Sequence, residues 1–295
     1  MKLDQVFGFL LIVLAIYLGV NATARGDVGG GLFDGPDDPP AAVDDGPGEP
    51  DPGDDVVVDD APAEPDPETA EERRRRRRAA ERDITGSDFC RNAPDRSRYD
   101  DLGRANDAAI RCMEAAGVVR GVSGDTYAPR DSLTRAQAAD TIAGMIDTAN
   151  RLERPDVDLR ELQDAPDARF VDVPPDHRAA DDIARLNEAG IIEGFVDARY
   201  EPRGRVTRGQ MASILDRSYQ YLTGEALPAG GDRFTDDDES VHEDSINAVA
   251  AAGIMEGTGD RQFRPGDSVN RGPMATFVAR TMIRLEETNR IRPLD

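Results

Sequence analysis

Residues 189–212 read AGIIEGFVDARYEPRGRVTRGQMA, and this stretch recurs. Gly190, Gly194, Pro202 and Arg208 match Gly117, Gly121, Pro129 and Arg135 upstream and Gly253, Gly257, Pro265 and Arg271 downstream. The aromatic two places before each proline is also kept, as Tyr127, Tyr200 and Phe263, and so is an apolar residue seven before the first glycine, as Ile110, Ile183 and Ile246. A fixed internal period signals one supersecondary unit copied and stacked, because each copy is too small to cover its own apolar face.

Within the second copy, Ile183, Leu186, Asn187 and Gly190 follow helical spacing, with the glycine where a left-handed C-terminal cap is wanted. A turn-rich loop follows, and a second helix opens at Thr207 with Met211, Ile214, Leu215 and Ser218 on one face. The other copies repeat the plan through Ala138, Ile142 and Met145 and through Met274, Phe277 and Val278. Each unit is therefore helix, loop, helix, and the fold class is all-α.

The second helices open on Thr134-Arg135-Ala136-Gln137, Thr207-Arg208-Gly209-Gln210 and Asn270-Arg271-Gly272-Pro273. Thr134 with Gln137 and Thr207 with Gln210 match the capping box, and Asn270 holds the same capping position in the third copy. The arginine has no such structural reason, since a cation at a helix start opposes the macrodipole. Its recurrence predicts either a guanidinium fork for a carboxylate beside the helix N-terminus or an ion pair with an acidic neighbour. On the first reading, Arg135, Arg208 and Arg271 are ligand-binding residues. They sit on helix openings outside the core, where alanine should cost little stability.

The multipart pattern formed by Phe170-Val171-Asp172-Val173, Ala189 to Gly194, Tyr200-Glu201-Pro202 and Val206 to Ala212 resembles an S-layer homology repeat. Two further copies carry the resemblance across roughly residues 89 to 290. It implies three helix-loop-helix repeats, at 89–153, 166–224 and 230–290, packed as a pseudo-threefold bundle. It also implies inter-repeat grooves that hold an anionic, often pyruvylated, secondary cell-wall polysaccharide at the bacterial cell surface. The family's binding arginine carries over onto Arg135 and Arg208; Arg271 departs in its motif through Asn270 and Pro273, and the family's frequent tryptophan is missing.

The rest of the chain sets the context. Of 295 residues, 59 are acidic and 36 basic, for a net charge of −23. Such a surface repels phosphate and argues against nucleic acid as a partner. Residues 1–24 contain the apolar run Val6 to Val20 and then Ala22 and Ala24, which reads as a secretory signal peptide or as a retained membrane anchor. Residues 25–88 form an acidic Pro/Gly-rich linker expected to be disordered, interrupted by the six arginines Arg73 to Arg78. That run suits an anionic polymer, a lipid headgroup or phosphate, or a charged helix paired with Glu71, Glu72 and Glu81.

Cys90 and Cys112 are the two cysteines, and an even count in an exported chain favours a disulfide. His177 and His242, each just ahead of a first helix, are expected to cap or to face solvent. The run Asp236-Asp237-Asp238-Glu239 lacks the alternating order of a calcium loop, so no metal site is expected, and no cofactor motif is present. The sequence reads as a non-catalytic envelope anchor. If residues 6–20 remain in the membrane, it becomes a membrane-to-wall tether.

Overall fold

The computed structural model describes residues 83–103, 105–165 and 170–294. The readings of residues 1–24, of the acidic linker up to residue 82 and of Arg73 to Arg78 lie outside the described residues. Among the described residues a helical turn at 83–86, with Ile84 buried in the core where a disordered linker was expected, precedes six helices that fall two to a repeat: α1 (Asp107–Ala115), α2 (Arg135–Arg151), α3 (Ala180–Glu188), α4 (Arg208–Thr223), α5 (Glu243–Ala251) and α6 (Arg271–Glu287). Among the described residues the extended contacts are isolated bridges.

Each short helix ends at a left-handed glycine, Gly117, Gly190 or Gly253, with φ of 78°, 70° and 72°. The next amide closes the turn: Val118, Ile191 and Ile254 donate to Met113, Leu186 and Val249 carbonyls at 2.8, 2.9 and 2.9 Å. This closure satisfies carbonyls that a helix end would otherwise leave open. The second repeated glycine has a different cause. A Cβ on Gly194 would lie 2.2 Å from the Phe170 ring and 2.7 Å from the Arg199 carbonyl. Gly121 and Gly257 are held the same way, against Tyr99 and Phe234.

An aspartate holds each loop shut. Asp172 accepts from the Tyr200 and Glu201 amides at 2.8 Å each, Asp101 from Tyr127 and Ala128, and Asp236 from Phe263 and Arg264. Desolvation works to raise the pKa of Asp101 and Asp172, but the two amide bonds outweigh it and leave both carboxyls below their ordinary value. The ring pairs Tyr99–Tyr127, Phe170–Tyr200 and Phe234–Phe263 stack at 5.3–5.4 Å behind these staples.

The long helices α2, α4 and α6 meet one another at the centre, and each also packs against the short helix of the following repeat: α2 on α3, α4 on α5 and α6 on α1. The last pairing closes the ring. Ile142, Met145, Met211, Leu215, Met274, Val278 and Met282 are fully or almost fully buried in one contiguous core. Burial of each such side chain contributes roughly 1.5–3 kcal/mol before conformational entropy is set against it.

On the pseudo-threefold axis three backbone hydrogen bonds form a cycle. Leu133 donates to Val269 at 2.8 Å, Val269 to Val206 at 2.9 Å, and Val206 to Leu133 at 3.2 Å. Each long helix also starts under the next repeat's loop. Arg135 and Ala136 amides donate to the Gly204 and Pro202 carbonyls, Arg208 and Gly209 to Asp267 and Pro265, and Arg271 and Gly272 to Asp131 and Pro129. A disulfide joins Cys90 to Cys112 across 22 residues, tying the entry segment to α1; closing such a loop restricts the unfolded chain by about 3 kcal/mol in the loop-entropy model.

Candidate functional site

The repeated arginines lie at the repeat junctions; for Arg135 and Arg271 the structure corrects the expectation of surface groups, while Arg208 is half-buried. Arg135 and Arg271 are each 8% exposed. Arg135 Nε donates to the Tyr200 carbonyl at 2.6 Å and Nη2 to the Glu193 carbonyl at 2.8 Å. Arg208 does the same to Phe263 and Glu256, and Arg271 to Tyr127 and Arg120. Each guanidinium also stacks over the ring whose carbonyl it holds, at 4.4, 4.4 and 4.6 Å.

Every arginine therefore clasps the next repeat, with repeat three reaching back to repeat one. The tyrosines return the bond, since Tyr200 Oη donates to the Arg135 carbonyl at 3.0 Å and Tyr127 Oη to the Arg271 carbonyl at 3.2 Å. Burial pushes both phenols up to about 12, so they remain neutral donors. Phe263 has no hydroxyl, and the clasp of Arg208 lacks that return bond.

The helix starts are likewise occupied. Thr134 with Gln137 and Thr207 with Gln210 form complete capping boxes. The third start differs from expectation, because the Asn270 side chain makes no capping hydrogen bond. Pro273 stands three residues on, where the cap needs a backbone N–H, and proline has none. With their first amides bound to the neighbouring loop, these helix ends are not open anion cradles of the kind the sequence suggested.

What remains accessible is a groove above the clasps of Arg135 and Arg271. Between repeats one and two a cavity of ≈ 180 Å³ is lined by Arg135, Phe195, Gln210, Ser213, Arg217 and His242, among others. Phe195 is 45% exposed, and Arg135 lies 5.1 Å from its ring centroid. Arg217 pairs with Glu193 at 3.0 Å on one wall. His242 does not cap its helix; its Nδ1 is 2.9 Å from Ser213 Oγ, and burial followed by the nearby Arg217 charge lowers its pKa. His177 does not cap α3 either; its Nδ1 accepts the amide of Ala179, the residue before the helix, at 3.2 Å.

The groove between repeats three and one is larger, ≈ 360 Å³, and is lined by Arg271, Arg120, Arg178, Asp140, Gln137 and Val122 among others. Arg120 and Arg178 are exposed and flank Asp140 at 4.0 and 3.5 Å. Asn106 of repeat one meets Thr276 of repeat three at 2.9 Å, just as His242 of repeat three meets Ser213 of repeat two. At the junction of repeats two and three, Arg280 pairs with Glu256 at 2.8 Å beside Arg208's carbonyl partner. Sequence reasoning missed Arg120, Arg178 and Phe195 because their positions do not repeat: Phe195 is matched by Val122 and Thr258.

Beside Asp140, the Asp182 carboxyl is held well above the ordinary carboxylate range. Burial raises the Asp182 pKa to about 6, Asp140 and Asp147 add to the rise, and Arg185 opposes it. The folded state thus holds this proton more tightly than the unfolded chain, whose value is about 3.9. The stability it contributes is full below the unfolded value and is lost as pH rises through about 6. Asp182→Asn should therefore raise the melting temperature at pH 7, with the gain shrinking by pH 5, in paired thermal melts. A variant less stable than the parent at pH 7 would contradict this.

The family described as S-layer homology domain matches residues 105–139, 169–212 and 233–275. Among curated relatives, an endoglucanase of Bacillus sp. (strain KSM-635) is 27% identical over 58% of this chain and 17% of its own length. The S-layer protein EA1 of Bacillus anthracis is 26% identical over 61% of this chain and 19% of its own. A cellulosome-anchoring protein of Acetivibrio thermocellus is 24% identical over 58% of this chain and 36% of its own. The matched segment is thus a minor part of each relative. Three copies of one motif, each built on the same staple, clasp and helix pair, place this chain in the S-layer homology domain family, as a protein with three such repeats.

Proposed function

We propose that the three-repeat unit is a non-catalytic anchor that fixes an exported protein at the bacterial cell surface by binding an anionic wall polysaccharide in its inter-repeat grooves. The domain assignment and the S-layer and cellulosome-anchoring relatives support attachment to the wall. The choice of ligand rests on one observation: Arg120, Arg178 and Arg271 converge on a single groove in a chain of net charge −23. A protein this acidic repels a polyanion unless it concentrates positive potential locally.

In this reading Arg271 sets the groove floor, where Nε and Nη2 are committed to carbonyls and Nη1 is the remaining nitrogen group. Arg120 and Arg178 close on an acidic sugar substituent, a pyruvyl ketal carboxylate being the best match to a guanidinium fork. In the groove between repeats one and two, Phe195 supplies an apolar platform for a sugar ring, replacing the tryptophan that the chain lacks.

The test is sedimentation of the full chain with purified wall sacculi, before and after mild acid removal of ketals. Arg120→Ala together with Arg178→Ala should weaken sedimentation about tenfold or more, in keeping with the removal of two charge-assisted hydrogen-bonding groups. Both side chains are exposed, so the circular dichroism spectrum and melting temperature should stay at the parental values. Undiminished sedimentation of the double variant at matched salt would remove this groove as the binding site.

A further inference from the structure

The third repeat buries a carboxylate where the other two bury apolar side chains. Counting from the aspartate staples, the next residue is Leu102 in repeat one, Val173 in repeat two and Asp237 in repeat three. Val173 is buried and Leu102 packs against the core, so this position serves packing in two copies out of three. Asp237 is 1% exposed, and neither carboxylate oxygen has a hydrogen-bond partner among the described residues. A buried carboxylate left unpaired costs several kcal/mol, and the fold itself does not require one here.

The orphaned oxygens face company. Oxygens of Asp232, Asp237 and Asp238 all lie within 4.8 Å of one another. Two oxygens bound to one calcium ion are at most about 5 Å apart, twice its 2.3–2.6 Å bond, and the trio fits within that span. Asp236 stands apart from the trio, because its two oxygens hold the Phe263 and Arg264 amides. That division of labour leaves three carboxylates with no hydrogen bond or ion pair among the described residues and one shared space between them.

We propose that Asp232, Asp237 and Asp238 bind a divalent cation of calcium's chemistry at the entrance to the third repeat. Three carboxylates and no nitrogen or sulfur donor suit a hard, oxygen-seeking ion. Asp237 is the inner ligand, buried by the loop, and the exposed Asp232 and Asp238 close over the ion from solvent. Asp232 comes from outside the acidic run at 236–239, which is why the spacing within that run gave no sign of a site. The ion ties residues 232–238 together just ahead of α5, the helix on which α4 packs.

The experiment uses the full chain, stripped with chelator and kept at about 0.15 M ionic strength so that general charge screening is constant. Added calcium should raise the melting temperature by about 5 °C or more once it is well above Kd, and a titration should show one site. Magnesium at the same concentration should do less, because it demands a tighter octahedron and keeps its waters. Asp237→Val, which installs the residue of repeat two, should abolish the calcium response yet melt no lower than the stripped parent. Asp232→Asn with Asp238→Asn, both on the surface, should weaken calcium binding about tenfold or more without altering the core. A parent that shows neither titration heat nor a calcium-dependent melt, or an Asp237→Val variant that responds like the parent, overturns the site.

Discussion

Arg135→Ala is expected to lower the stability of the three-repeat unit by about 3–5 kcal/mol, because two charge-assisted hydrogen bonds and a cation–π interaction disappear together. For a unit of this size that is a fall of roughly 10 °C in melting temperature. The Tyr200 carbonyl, buried against the guanidinium, would be left without this donor, and the Tyr200 ring would lose the cation stacked on it. Lysine in its place should recover only part of the deficit, because an ammonium cannot span both the Tyr200 and the Glu193 carbonyls while lying flat on the ring. Thermal melts of the three proteins check this. An alanine variant within about 2 °C of the parent would show that the clasp is incidental. Failure of Arg135→Ala to bind wall therefore does not by itself identify a ligand contact, whereas the exposed Arg120 and Arg178 allow that question to be asked on an intact fold.

The arginine shows where sequence reading stops. Its recurrence was legible, and so was its conflict with the helix macrodipole, from which a ligand follows if the helix start is open. In the folded chain it is not open, because Gly204 and Pro202 of the next repeat already take the first two amides of α2. Tyr200 accepts from Arg135 across 65 residues, so no local window contains the pair. Local features fared better. The Thr–Gln capping boxes, the left-handed glycines and the apolar helix faces depend on spacings of three to seven residues and appear as read. Asn270 failed because the cap needs an amide that Pro273 does not have. Phe195 was overlooked because the eye follows what repeats, and its counterparts are Val122 and Thr258; Asp237 was weighed only within the run 236–239, whose order lacks the alternation of a calcium loop, and not against its counterparts Leu102 and Val173.

A chain ended at residue 229, after repeat two, is expected not to fold at all. In an open array of repeats, deleting the last copy exposes one interface and leaves the others standing. This molecule is closed. Removal of repeat three takes α6 away from α1, from α2 and from α4, and takes α5 away from α4. It breaks two of the three axial hydrogen bonds, Leu133 to Val269 and Val269 to Val206. It also removes two of the three arginine clasps, because Arg271 goes with its grip on Tyr127 and Arg208 is deprived of Phe263. The buried faces of α1, α2 and α4 that α6 covers would meet water, and exposing even a few such side chains at roughly 1.5–3 kcal/mol each is comparable with the whole 5–15 kcal/mol by which ordinary domains are stable. The Cys90–Cys112 disulfide cannot compensate, since it restrains only the entry to α1. Circular dichroism and limited proteolysis of residues 83–229 beside 83–295 decide the matter. A cooperative melt and a protease-resistant core in the shorter chain would mean that the closing contacts between repeats three and one are dispensable, and that the repeats stack as an open series after all.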